Sequence, residues 1–202
     1  GVRLVGSEMC IRDSGVTVGA EKAFQLARKN GKATMVFVSK CDLENANYFK
    51  ILEDMKIKFG STVCPCVVPA KLDDGTPVYI NLFSQKAFKY EGGKQVQVEL
   101  PDIGHRFQGL IEAMSEAIAE TDDELMEKFF ETMELSAEDM AKGLKLGVRE
   151  GSVCPVLCGS AATGMGVEML MQTIVDLVPV ATDMPAEAAE DDDGNAIEVA
   201  YD

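Results

Sequence analysis

Apolar positions along the chain recur first at helical spacing and then run together. In TVGAEKAFQLARKNGKA, Ala20, Ala23, Phe24 and Ala27 fall on one face of a 3.6-residue period, and Asn30-Gly31 supplies a left-handed stop. ATMVFV follows as a continuous, β-branched-rich run of strand length, the pattern of a parallel strand covered on both faces. After SKCD the helical period returns with Tyr48, Leu52, Met55 and Phe59 on one stripe, closed by Gly60, and TVCPCVV is the next strand. Further on, SVCPVLC runs into Gly159-Ser160-Ala161. The helix VEMLMQTIVDLV comes next, with its stripe at Val167, Leu170, Ile174 and Leu177. Helix and strand in alternation predict an open parallel α/β sheet, whose ligands bind beyond the carboxyl ends of the strands.

Between these units the period changes. Asp73-Asp74-Gly75 and Glu91-Gly92-Gly93-Lys94 are turn signals, PVYINLF and AFKY are strand-like, and QVQVEL alternates with period two, as half-buried antiparallel strands do. Three helical stretches follow: FQGLIEAMSEAIAE, DDELMEKFFE and SAEDMAKGLKLG, the last opened by a capping box of Ser136 with Asp139. Residues 70–150 therefore read as an α+β subdomain inserted into a parallel sheet formed by residues 15–69 and 151–180.

Length and charge narrow the picture. The 202 residues, 47% hydrophobic and 26% charged, suffice for one domain with an insertion. No apolar run reaches membrane-spanning length, so a cytoplasmic protein without a membrane partner is expected. The net charge of −15 is partly local, because eight acidic and no basic residues lie from Asp183 to Asp202; the rest carries 26 acidic against 19 basic residues, or −7. That balance argues against free-standing DNA binding, leaves an RNA-containing partner open, and makes residues 181–202 read as a solvated acidic linker.

Three other residue sets point to bland roles. Cys64 with Cys66, and Cys154 with Cys158, have an even spacing that aligns each pair on one strand face. They lie in apolar runs, however, and read as buried reduced thiols in preference to a four-thiolate zinc site. His105 reads as an exposed helix-start residue, and Met165, Met169 and Met171 as core and surface of a helix.

Chemistry concentrates where the strands end. An aspartate at a strand end, such as Asp42, accepts two parallel hydrogen bonds from an edge like N1–H and N2–H₂ of guanine, which adenine lacks. Charge-assisted bonds of this kind contribute roughly 1.5–3 kcal/mol each. The methylene stem of Lys40 can lie across the base while its ammonium stays in water. At the next strand end, a backbone N–H of Ser160-Ala161 is placed to reach the guanine carbonyl.

The ordered set of motifs resembles the translational GTPases of the elongation factor G type. SKCDLENANYFK is similar to their N-K-x-D guanine motif and the run after it. CPVLCGSA is similar to their next strand end, and INLFSQKAFKYEGG and IEAMSEAIAETDDELMEKFFE resemble the insertion in their GTPase domain. The resemblance runs from Gly15 to Pro185. VGSEMCIRDS instead resembles a translated sequencing adapter, so residues 1–14 are set apart as a non-native or disordered leader.

The resemblance implies a partial P-loop GTPase sheet, the back half of the domain with its insert. Ser39, Lys40, Asp42, Ser160 and Ala161 would then be the nucleotide-binding residues. Guanine nucleotide and the ribosome, including its stalk protein, would be partners; the DDEL and EDM stretches are solvated helix faces or a stalk contact. Ser39 stands where the family has asparagine, and its shorter hydroxyl weakens that contact by about 1 kcal/mol. No G-x-x-x-x-G-K-[ST] occurs in the chain. Without that loop and the Mg²⁺ of an intact parent, no GTP hydrolysis is expected, and GTP or GDP should bind only near millimolar, about 4 kcal/mol. Alternatives are a release-factor or ribosomal-protection GTPase, or a short stalk-binding module without catalysis.

Overall fold

The computed structural model describes residues 15–43, 47–101, 104–180, 182, 186–190 and 196–199. The leader, residues 1–14, lies outside them.

Helix α1 (Val18–Lys29) starts where the Thr17 hydroxyl accepts the Ala20 N–H, and it buries Ala20 and Phe24. Helix α2 (Tyr48–Phe59) is capped by the Asn47 side chain and buries all four residues of its expected stripe. The two helices meet through Phe24 and Phe59, whose rings stack 4.0 Å apart. Strand β1 (Val36–Val38) precedes α2, and β2 (Val63–Pro65) follows it. Both pair in parallel with β7 (Cys154–Cys158), giving the order β1-β7-β2. All five residues of β7 are buried, as a strand flanked on both sides requires. ATMVFV yields only three strand residues, two of them half-buried. Among the described residues β1 has one neighbour, so its outer edge is unpaired.

TVCPCVV does not stay in one sheet. It divides at Cys66, whose N–H donates to Val156 of the parallel sheet at 2.9 Å, while its carbonyl accepts the N–H of Leu82 at 2.9 Å. From there β3 (Val67–Lys71) leads an antiparallel meander with β4 (Pro77–Asn81), β5 (Lys86–Glu91) and β6 (Lys94–Val98). The inserted sheet thus has four strands and begins at Val67. One apolar run serves two sheets, which is why no alternation marks the division.

Helices α3 (His105–Ala119), α4 (Asp123–Thr132) and α5 (Ala137–Glu150) form the helical part of the insert. His105 is exposed at the start of α3. At α5 the Ser136 hydroxyl accepts the Asp139 N–H at 3.1 Å and donates to the Asp139 carboxylate at 2.8 Å, so the capping residues do meet. Helix α6 (Val167–Leu177) follows β7. Its expected stripe is displaced: Met169 is the buried residue, Val167, Leu170 and Leu177 are half-buried, and Ile174 is exposed. Glu168, Gln172 and Asp176 mark an exposed polar stripe, but apolar residues cover the rest of VEMLMQTIVDL, so the pattern does not say which apolar row is buried. Met165 and Met169 enter the core, and Met171 stays at the surface.

The acidic end departs from a plain linker, because β8 (Glu187–Glu190) and β9 (Ala196–Val199) pair as an antiparallel hairpin. The Ala-Ile-Glu-Val alternation provides a strand that charge counting overlooks. Among the described residues no helix is long and apolar enough to cross a membrane.

Candidate functional site

The two candidate strand ends lie side by side. Val38 closes β1 opposite Cys158 of β7, and beyond this pair the chains remain linked. The Gly159 N–H donates to the Val38 carbonyl at 3.0 Å, and the Cys41 N–H donates to the Gly159 carbonyl at 3.0 Å. The Cys41 thiol donates back to Val38 at 3.2 Å. Such a tight reversal needs a left-handed residue, and Lys40 takes that role with φ 63° although it carries a side chain. The Leu43 N–H closes the turn on the Lys40 carbonyl at 3.3 Å. Lys40 and Asp42 are consequently exposed at the mouth, with Ser39 half-buried beneath them.

The second strand end is built from glycines. Gly159 and Gly166 pack so closely that a Cβ on either would overlap backbone of the other segment. The loop then closes on itself: the Ser160 N–H donates to the Met165 carbonyl at 2.8 Å, and the Thr163 N–H reaches the Ser160 hydroxyl at 3.3 Å. Ser160 is 1% exposed and acts as the staple of this loop. Its N–H is already committed. Ala161 is exposed, and among the described residues its N–H has no partner. The mouth therefore presents a carboxylate acceptor from one strand end and an open amide donor from the next.

Chemically, that pair complements a planar edge carrying adjacent N–H donors beside a carbonyl. Nothing among the described residues gathers three His, Cys, Asp or Glu side chains to hold a metal ion.

The sequence profile of the elongation factor Tu GTP binding domain matches residues 9–180. The chain belongs to this family. The match begins within the leader set apart above and covers the whole α/β body. A curated relative, the elongation factor G of Ureaplasma parvum serovar 3, is 31% identical over 203 residues, covering 98% of this chain and 30% of its own length. The elongation factor G-like protein of Thermotoga maritima is 29% identical over 188 residues, covering 93% of this chain and 27% of its own length. A crystal structure of a protein from Thermus thermophilus superposes with a TM-score of 0.75 at 33% identity, covering 88% of this chain and 27% of that one. The chain thus spans less than a third of the relatives it matches.

Within this elongation-factor GTP-binding domain, the thiols around the strand ends differ sharply. Cys41 is half-buried, and a hydrogen bond from Cys158 holds its thiol below the ordinary value. Burial pushes Cys158 well up, and its bond to Cys41 adds to the shift. Cys64 is also raised, first by its hydrogen bond with Cys66 and then by burial, and burial pushes Cys154 up to about 12. Tyr79 of β4 is raised as well, chiefly by burial. Below the mouth, the hydroxyl of Tyr48 is buried without a partner among the described residues.

Sequence reasoning missed the residues that shape the second loop. Gly159, Gly164 and Gly166 were visible as a cluster of glycines after a strand, a signal of close backbone approach. Tyr90, which packs against Gly164, had no signal in sequence because it arrives from another sheet.

Proposed function

We propose that this chain is the guanine-recognising half of a ribosome-dependent translational GTPase of the elongation factor G type. In this reading, residues 15–69 and 151–180 are the back half of the GTPase domain and residues 70–150 its insert. The parent protein couples GTP hydrolysis to movement of transfer RNA and messenger on the ribosome, with the stalk protein as a contact. Phosphate binding, Mg²⁺ and hydrolysis require parts of the parent other than the strand ends described here.

One observation carries the proposal: the bond between Cys41 and Gly159 sets the Asp42 carboxylate and the open Ala161 N–H at one mouth. Asp42 accepts N1–H and N2–H₂ of guanine, Ala161 donates to the carbonyl, and the Lys40 stem covers the ring. Ser160 holds the second turn through its N–H and hydroxyl, and Ser39 lies half-buried at the first.

The test is a titration of the isotope-labelled chain with GDP and IDP, followed by NMR. Hypoxanthine lacks the 2-amino group, so one charge-assisted bond is lost and GDP should bind about tenfold tighter, near millimolar. Asp42→Asn should bring the two affinities together. Equal binding of GDP and IDP by the unmodified chain would overturn the base reading.

A further inference from the structure

The loop that presents Ala161 is held from three sides, and the third side is not part of the parallel sheet. Its first support is the end of β7, where Gly166 lies against the Cys158 carbonyl; its second is its own pair of bonds through Ser160. The third is Tyr90. A Cβ placed on Gly164 would stand 2.8 Å from the Tyr90 hydroxyl oxygen, 3.1 Å from Cζ and 3.4 Å from Cε1, so the ring edge lies directly on the glycine. Gly164 has φ +80°, a conformation that leaves its open face toward the tyrosine.

Tyr90 is itself well anchored. Its backbone pairs with Gln95 in the β5–β6 ladder, and its hydroxyl donates to the Gly93 carbonyl at 2.9 Å. Gly92 and Gly93, both at positive φ, form the two-residue turn that brings the hairpin back, with Glu91 opposite Lys94. A ring held at its backbone and at its tip is a fixed surface. Removing it opens space over Gly164 and frees the loop to move away from the mouth.

We propose that Tyr90 is a positioning residue for the base site: by closing over Gly164 it sets the Ser160–Ala161 turn, so that the inserted sheet governs how well the strand ends hold a guanine. This inference rests on the base reading given above. Tyr90 does not touch the base; it acts through the turn that does.

The two ideas separate in one set of titrations on the full chain. Ala161 addresses the carbonyl that GDP and IDP share, whereas Asp42 addresses the amino group that only GDP has. Tyr90→Ala is therefore expected to weaken GDP and IDP by the same factor, at least about threefold, with their ratio unchanged. Tyr90→Phe, which keeps the ring but loses the hydroxyl tie to Gly93, should weaken both nucleotides by a smaller factor than Tyr90→Ala does. Amide exchange at Ser160 should quicken in Tyr90→Ala while Val156 and Leu157 keep their protection. Tyr90→Leu, a strand-compatible change, serves with the same readouts if the alanine variant does not fold. Unaltered GDP affinity and unaltered Ser160 exchange would overturn the inference, as would loss of protection along the whole of β7. If Asp42→Asn leaves the GDP-to-IDP ratio unchanged, the base reading fails and this inference falls with it. A normal Asp42→Asn response beside a silent Tyr90 variant removes this inference alone.

Discussion

Cys41 and Gly159 are tied main chain to main chain at 3.0 Å, just beyond the last residue of β7. The bond extends the β1–β7 pairing into the two turns, so that two segments far apart in sequence share one mouth. A shift in either turn is transmitted to the other.

Gly159 is the most demanding position in this arrangement. A Cβ there would overlap the Met165 carbonyl and come within 2.8 Å of Phe37 Cζ and 3.2 Å of Gly166 Cα. Two of these neighbours are backbone and cannot swing aside. Gly159→Ala should therefore cost about 2–3 kcal/mol as overpacking, lowering Tm by about 4–12 °C for a domain of this size. Differential scanning calorimetry measures this directly, and an unchanged Tm would show that the loop can relax without loss.

The Ser39 hydroxyl has no hydrogen bond among the described residues, so replacing it breaks no contact there. Asparagine carries a carboxamide that reaches farther and can both donate and accept. Ser39→Asn should tighten GDP by about fivefold, the equivalent of about 1 kcal/mol. The NMR titration described above checks it; weaker binding would mean that serine suits the turn that this chain adopts.

Much of this architecture could be read directly from residue patterns, for reasons specific to each element. The α2 stripe was legible because one face meets the core and the other meets water. The cap at Ser136 was legible because its partners are three residues apart. TVCPCVV was not, since its hydrogen-bonding partners Val156 and Leu82 decide where one sheet ends and the next begins. The buried row of α6 was hidden for the opposite reason: outside the polar stripe of Glu168, Gln172 and Asp176, apolar residues cover most of the helix, and several rows compete for the core. At the site, the polar strand ends stood out, but the distinct roles of Ser160 and Ala161 did not. Only the bond from Ser160 to Met165 shows which N–H remains open.

Thiol chemistry gives a test independent of any ligand. The thiolate is the reactive form, and a thiol of pKa about 12 is ionised in about one molecule in ten thousand at pH 8. Cys154 is such a thiol, and Cys64 and Cys158 are likewise raised and buried. Cys41 is shifted the other way and is only half-buried, where the other three are fully buried. Iodoacetamide in the native state at pH 8 should thus modify Cys41 well before Cys64, Cys154 or Cys158, as peptide mapping would show. Labelling of Cys158 at the rate of Cys41 would mean that the strand ends separate in solution.

Two glycines in helices make opposite predictions from the same substitution. Alanine gains about 1 kcal/mol over glycine in a helix interior through propensity alone. At Gly109 of α3, exposed and with nothing within 4 Å of a new Cβ, that gain should appear in full. At Gly147 of α5 the new Cβ would lie 2.5 Å from Val153 Cγ2, 2.6 Å from Thr121 Cγ2 and 2.9 Å from Val153 Cβ. Both neighbours are β-branched and have little rotamer freedom with which to yield. Overpacking of about 1–3 kcal/mol, here toward the upper end, outweighs the propensity gain. Gly147→Ala should therefore destabilise the chain by about 1–2 kcal/mol while Gly109→Ala stabilises it, both read from urea unfolding midpoints at unchanged m-value. A stabilised Gly147→Ala variant would mean that α5 moves outward at little cost, and that the contact of the helix with Thr121 and Val153 is looser than its geometry implies.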